Sequence, residues 1–122
     1  MKALVLDYEE DILDLLVYTL SKEGFHTIGL DDEAELSPAI LAYSPDLVIL
    51  GNCHTEENRA LLAREVRQLP AGRHATLVFL STDPNCAEQS YNQDLAVDLI
   101  IPLPIPPREI IALINSYLPV AA

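Results

Sequence analysis

The side chains in this sequence that can do chemistry stand at the ends of its apolar runs. Asp7 closes Ala3-Leu4-Val5-Leu6 and opens the acidic stretch Asp7-Tyr8-Glu9-Glu10-Asp11. Gly51 closes Leu47-Val48-Ile49-Leu50 and leads into Asn52-Cys53-His54-Thr55, while Ser81 and Thr82 follow Thr76-Leu77-Val78-Phe79-Leu80. Cys53 and His54, beside Asp7, suggest a soft metal site or a thiol nucleophile with its base. Adjacent Cys and His cannot readily face one ion together, however, and no third soft ligand is near, so the pair reads as ordinary loop residues. His26 and His74 are isolated and read as surface positions. A nucleotide or flavin would need Gly, Ser or Thr in the first loop to receive its phosphate. The carboxylates of Glu9, Glu10 and Asp11 repel one instead. Asp7 itself is either a weak cation site or a strand-end acid that hydrogen-bonds neighbouring amides or Ser81, and the second reading is preferred.

Chemistry at these tips requires elements that bring them together. The apolar runs ending at Asp7, Gly51 and Ser81 read as buried strands. Phe25 to Leu30 is a shorter, more polar strand suited to a sheet edge, and Val97 to Ile101 is a fifth. Between them the apolar spacing turns helical. Asp11 to Leu20 repeats at 12, 13, 16, 17 and 20 before Gly24 stops it. A second helix spans about Glu33 to Tyr43, with Asp31 and Asp32 as cap candidates and a late start or kink at Pro38. A third runs from Glu56 to about Leu69 behind Thr55. A fourth, Cys86 to about Gln93, is polar nearly all round, and a last one, Arg108 to Leu118, follows Pro107. Strand and helix alternate five times, which specifies a single α/β domain over residues 1–122. Its expected form is a flavodoxin-like (βα)5 doubly wound parallel sheet in a three-layer sandwich, strand order 2-1-3-4-5.

Composition narrows the function classes. The net charge of −12, from 19 acids and 7 bases, repels phosphate backbones and argues against nucleic-acid binding. The apolar runs fall far short of the roughly 20 residues of a membrane span, and the acidic start is unlike a signal peptide. Two cysteines without paired or metal spacing fit a reducing compartment. No membrane association and a cytoplasmic location are therefore expected.

Four segments carry a family resemblance: Leu4-Val5-Leu6-Asp7-Tyr8-Glu9-Glu10-Asp11-Ile12-Leu13, Pro45-Asp46-Leu47-Val48-Ile49-Leu50, Leu77-Val78-Phe79-Leu80-Ser81, and Pro104-Ile105-Pro106-Pro107-Arg108-Glu109-Ile110. In this order and spacing the chain resembles, over nearly its whole length, the receiver domain of bacterial two-component response regulators, the CheY-like family. The resemblance implies five working positions. The phosphoryl acceptor at the tip of the third strand falls on Gly51. Of the acidic pair that holds Mg²⁺, Asp7 is present and the second position is Tyr8. The lysine that pairs with the phosphoryl group falls on Leu103, the hydroxyl is present as Ser81, and the aromatic switch falls on Ile100. No aspartate stands between Gly51 and Thr55, and no lysine follows Lys22. Asp7 and a loop carbonyl such as that of Cys53 make a poor cage for Mg²⁺.

The resemblance thus implies a degenerate pseudo-receiver: a signal-transduction module, not an enzyme, independent of phosphorylation and recognised by protein partners. No cofactor is expected, and Mg²⁺ binding should be weak or absent. Tyr8 and Leu103 are expected to close over the vacated pocket, and the Leu103-Pro104 bond is expected to be cis. Tyr91, Leu95, Ile100 and Ile105 are candidates for a partner face made by the fourth helix, fifth strand and last helix, through which a homodimer can form; burial in the core is the competing account. The alternatives are a working phosphorelay receiver with a non-standard acceptor and a small-ligand-binding flavodoxin-like domain.

Overall fold

The computed structural model describes residues 1–51, 56–81 and 97–118, with only the backbone described at 56–59. Nine regular elements follow in these segments: β1 (Lys2–Leu6), α1 (Glu10–Lys22), β2 (His26–Leu30), α2 (Leu36–Tyr43), β3 (Leu47–Leu50), α3 (Glu56–Gln68), β4 (Thr76–Ser81), β5 (Leu99–Pro102) and α4 (Pro107–Tyr117). The loop Asn52, Cys53, His54, Thr55 lies outside the described residues. So do Thr82, Leu95 and the expected polar helix with Tyr91.

All four strand pairings are parallel, in the order β2-β1-β3-β4-β5. This is the expected doubly wound order. β3 is the middle strand, and each of its residues is 0% exposed, which explains its unbroken apolar run. The two faces of the sheet support separate clusters. Leu4, Leu6, Val48, Leu50, Leu77 and Phe79 pack toward α2 and α3, with Ile40 and Val66. The alternate residues Val5, Leu47, Ile49, Val78 and Leu80 pack toward α1 and α4, with Leu16 and Ile114. Such alternation is what strand geometry requires when both faces are covered.

Local signals account for most element ends. α1 stops at Gly24, whose φ of +94° favours glycine. Asp32 accepts the Ala34 N–H at 2.9 Å and caps a 3₁₀ turn, Glu33–Glu35, ahead of α2. The α-helix proper starts late, at Leu36, so Pro38 sits in its first turn, where a missing N–H breaks no helical bond. Pro107 is the first residue of α4, and the Leu103-Pro104 bond is cis, both as expected.

The fifth strand departs from expectation: it begins at Leu99 instead of Val97. Asp98 supplies the reason. Its carboxylate Oδ2 accepts the Leu77 N–H at 2.7 Å, so a side chain takes the bond that a strand carbonyl would otherwise make.

Candidate functional site

Register decides which tips are neighbours. Leu6 pairs with Leu50 and Leu50 with Phe79, which puts Asp7 and Gly51 side by side just past β1 and β3. Ser81 ends β4 opposite Pro102 of β5, and the next residue, Leu103, donates its N–H to the Ser81 carbonyl at 2.8 Å. Asp7, Tyr8, Gly51, Ser81 and Leu103 therefore gather at the carboxyl edge of the sheet, where a doubly wound fold places its site.

Asp7 and Ser81 are the buried polar residues there, 1% and 3% exposed. A buried carboxylate must be hydrogen-bonded, and Asp7 Oδ1 accepts the Glu9 N–H at 2.8 Å. The preferred sequence reading, a strand-end acid holding a neighbouring amide, is what the geometry gives. That bond also satisfies the backbone at the start of α1, where Glu9 is the N-cap and makes no side-chain cap of its own. The other oxygen, Oδ2, lies over Gly51. A Cβ placed on Gly51 would collide with it and stand 3.0 Å from Asp7 Cγ and 3.4 Å from Asp7 Cβ. The backbone beneath is fixed, since Gly51 N–H donates to the Leu6 carbonyl at 2.8 Å and Asp7 N–H to the Leu30 carbonyl at 3.1 Å.

Tyr8 and Leu103, expected to close over this point, pack against different clusters. Tyr8 is half-buried against the α2/α3 cluster, and Leu103 is half-buried against the α1/α4 cluster. They lie on opposite sides of the sheet, and the volume above Gly51 is filled by the Asp7 carboxylate. Sequence spacing placed both residues at the correct edge but carried no signal for the face each would choose. Ile100 and Ile105 are likewise half-buried and divided, Ile100 on the α2/α3 side and Ile105 on the α1/α4 side. Tyr91 and Leu95, the other candidates for a partner face, lie outside the described residues.

A divalent ion of the Mg²⁺ type takes roughly six oxygens in near-octahedral array, and among the described residues Asp7 is the one buried carboxylate at this edge. One Asp7 oxygen is engaged by an amide and the other is packed onto Gly51. Among the described residues no group of three or more His, Cys, Asp or Glu is placed to hold a metal.

Open clefts occur at the opposite, amino edge. One of about 260 Å³ is bounded by Met1, Pro45, Asp46 and Thr76, and another of about 470 Å³ by Arg67, Arg73, His74 and Asp98. At this edge stands a polar cluster that the sequence reading missed. Arg67 pairs with Asp98 at 2.8 Å and donates to the carbonyls of Gly72, Arg73 and Ala75 at 3.2, 3.1 and 2.7 Å. The Tyr117 hydroxyl reaches Asp98 Oδ1 at 3.4 Å, and the Asp98 charge, helped by partial burial and this contact, raises the phenol above its ordinary 10.0. The only sequence signal was an arginine on the apolar flank of a helix and an aspartate opening an apolar run.

No protein-family model matches the chain. Solved structures do. The chemotaxis response regulator CheY4 of Vibrio cholerae is 15% identical with a TM-score of 0.85, the match covering 96% of this chain and 98% of that one. The response regulator TrrA of Thermotoga maritima, solved with Mg²⁺ and BeF, is 21% identical with a TM-score of 0.79, over 96% and 98% of the two chains. A response regulator from Burkholderia multivorans is 24% identical with a TM-score of 0.72, over 99% and 98%. At these identities the likeness establishes the fold: the chain has the CheY-like, flavodoxin-like architecture of response-regulator receiver domains. No helix among the described residues is long and apolar enough to cross a membrane.

Proposed function

We propose that this domain is a phosphorylation-independent receiver: a two-component signalling module that transmits by binding protein partners and performs no phosphoryl chemistry. The observation that carries the reading is the tip of the middle strand, where Gly51 has no side chain and the Asp7 carboxylate fills the space above it. An acyl-phosphate mechanism needs a carboxylate free to attack, a metal to bridge the phosphoryl oxygens and a cation to meet the developing charge. Asp7 is buried and held by an amide, and Leu103 offers an alkyl chain where the resemblance puts a lysine. The domain is accordingly not an enzyme, and it requires no cofactor. Its partners are proteins of a signalling pathway in the cytoplasm, not nucleic acid or membrane, and a second copy is a candidate partner at the β5 and α4 side.

Incubation with a small-molecule phosphodonor and Mg²⁺ followed by intact-mass measurement tests the reading. The mass is expected to stay that of the unmodified chain. The gain of one phosphoryl group would support a receiver with a non-standard acceptor instead. A companion NMR titration with Mg²⁺ and beryllofluoride, the ligands in the TrrA structure, should leave the Gly51, Asp7 and Ser81 signals unmoved. Saturable shifts there would show a working site.

A further inference from the structure

We infer that Asp7 and Gly51 form one unit, a steric lock in which the Asp7 carboxylate occupies the volume a side chain at position 51 would need and thereby ties the start of α1 to the tip of β3. This rests on the proposed loss of phosphoryl chemistry for its significance, but its geometry stands by itself. The backbone at Gly51 does not lie in the left-handed region, so conformation alone would admit any residue there. What excludes a side chain is space. Asp7 is held in place by its burial and by the Glu9 N–H that its Oδ1 accepts. The strand is likewise held, because Gly51 is bonded to Leu6 in the ladder. Any Cβ at position 51 therefore displaces Asp7 from Glu9 and frees the entry to α1.

A double-mutant cycle tests the unit in the ¹⁵N-labelled full chain, using Gly51→Ala, Asp7→Ala and the double variant. In the wild-type background Gly51→Ala should speed amide exchange at Glu9 roughly tenfold or more, the equivalent of losing one charge-assisted hydrogen bond, and lower the thermal midpoint. In the Asp7→Ala background the same substitution should change neither, since the obstructing oxygen is gone. Wild-type protection at Glu9 in Gly51→Ala, or an equal cost in both backgrounds, would overturn the inference. If Gly51→Ala does not fold, a folded double variant supports the lock, and an unfolded double variant beside a folded Asp7→Ala overturns it. None of these measurements uses a phosphodonor. A phosphorylated wild-type chain would thus refute the proposed function and leave the coupling untouched, and an uncoupled pair would do the reverse.

Discussion

Asp98 joins three parts of the chain through one carboxylate: the guanidinium of Arg67 on α3, the N–H of Leu77 at the head of β4 and, more distantly, the phenol of Tyr117 on α4. The Arg67 and Asp98 side chains are 17% and 28% exposed, so the pair is only partly screened by water. Truncation removes the acceptor of the Leu77 N–H and the counter-charge of Arg67, which keeps its carbonyl partners. Asp98→Ala is expected to cost about 2–3 kcal/mol, read as a lower urea midpoint at unchanged slope, and Asp98→Asn, which keeps an acceptor for Leu77, should cost less. Equal stability of Asp98→Ala and the wild type would remove the cluster from any account of the fold.

The same residue sets a pH response. Since Asp98 raises the Tyr117 pKa in the native state, the native protein holds this proton more tightly than the unfolded chain does. The contribution is intact below about pH 10 and is lost as the pH climbs through the native value. Stability should therefore fall more steeply above about pH 10 in the wild type than in Tyr117→Phe, and parallel pH profiles would contradict it. None of this network was legible in the sequence, because its members lie far apart along the chain and meet only once the sheet is assembled. Asp7 is the opposite case. Its place at a strand tip followed from the run before it, and its bond to an amide followed from burial, but its seat over Gly51 depends on a register that periodicity does not encode.

At the scale of elements, legibility follows how far a signal is local. Gly24, Pro107 and the unbroken run of β3 act within their own segment, and the structure agrees with each. The late start of α2 was also readable, as Pro38 tolerates only the first turn. There the chain enters through Asp32, whose carboxylate meets the Ala34 N–H in an exposed position. Asp32→Ala should cost about 1 kcal/mol and selectively raise amide exchange through Glu33–Glu35 and the first turn of α2. Uniform loss of protection across the sheet would mean the cap acts on the whole fold instead. The start of β5 was placed at Val97 because Val97 and Asp98 look like strand residues; Asp98 N–H does donate to the Leu77 carbonyl at 2.9 Å, but the Leu77 N–H goes to the Asp98 side chain, so the regular pairing starts at Leu99.

Over the whole molecule the charge is unevenly placed. Glu9, Glu10 and Asp11 from the first loop and Asp31, Asp32, Glu33 and Glu35 from the second are all exposed, and the carboxyl ends of β1 and β2 bring them to one edge. With a net charge of −12 the compact state repels itself, and a Debye length of about 10 Å at 0.1 M salt is short enough to relieve that repulsion. Raising NaCl from about 0.01 to about 0.3 M should therefore increase the thermal midpoint, by roughly 4 °C if the relief is about 1 kcal/mol. A lower midpoint would mean that ion pairs such as Arg67–Asp98 outweigh the repulsion. MgCl₂ at matched ionic strength separates screening from binding: a site-bound ion adds stability according to its occupancy, whereas an ion acting through its atmosphere does not distinguish a working site from a vacated one. With Asp7 turned onto Gly51 and engaged by Glu9, the two salts should give the same rise. An excess with Mg²⁺ that vanished in Asp7→Ala would put a cation back at the carboxyl edge and with it the chemistry that the glycine denies.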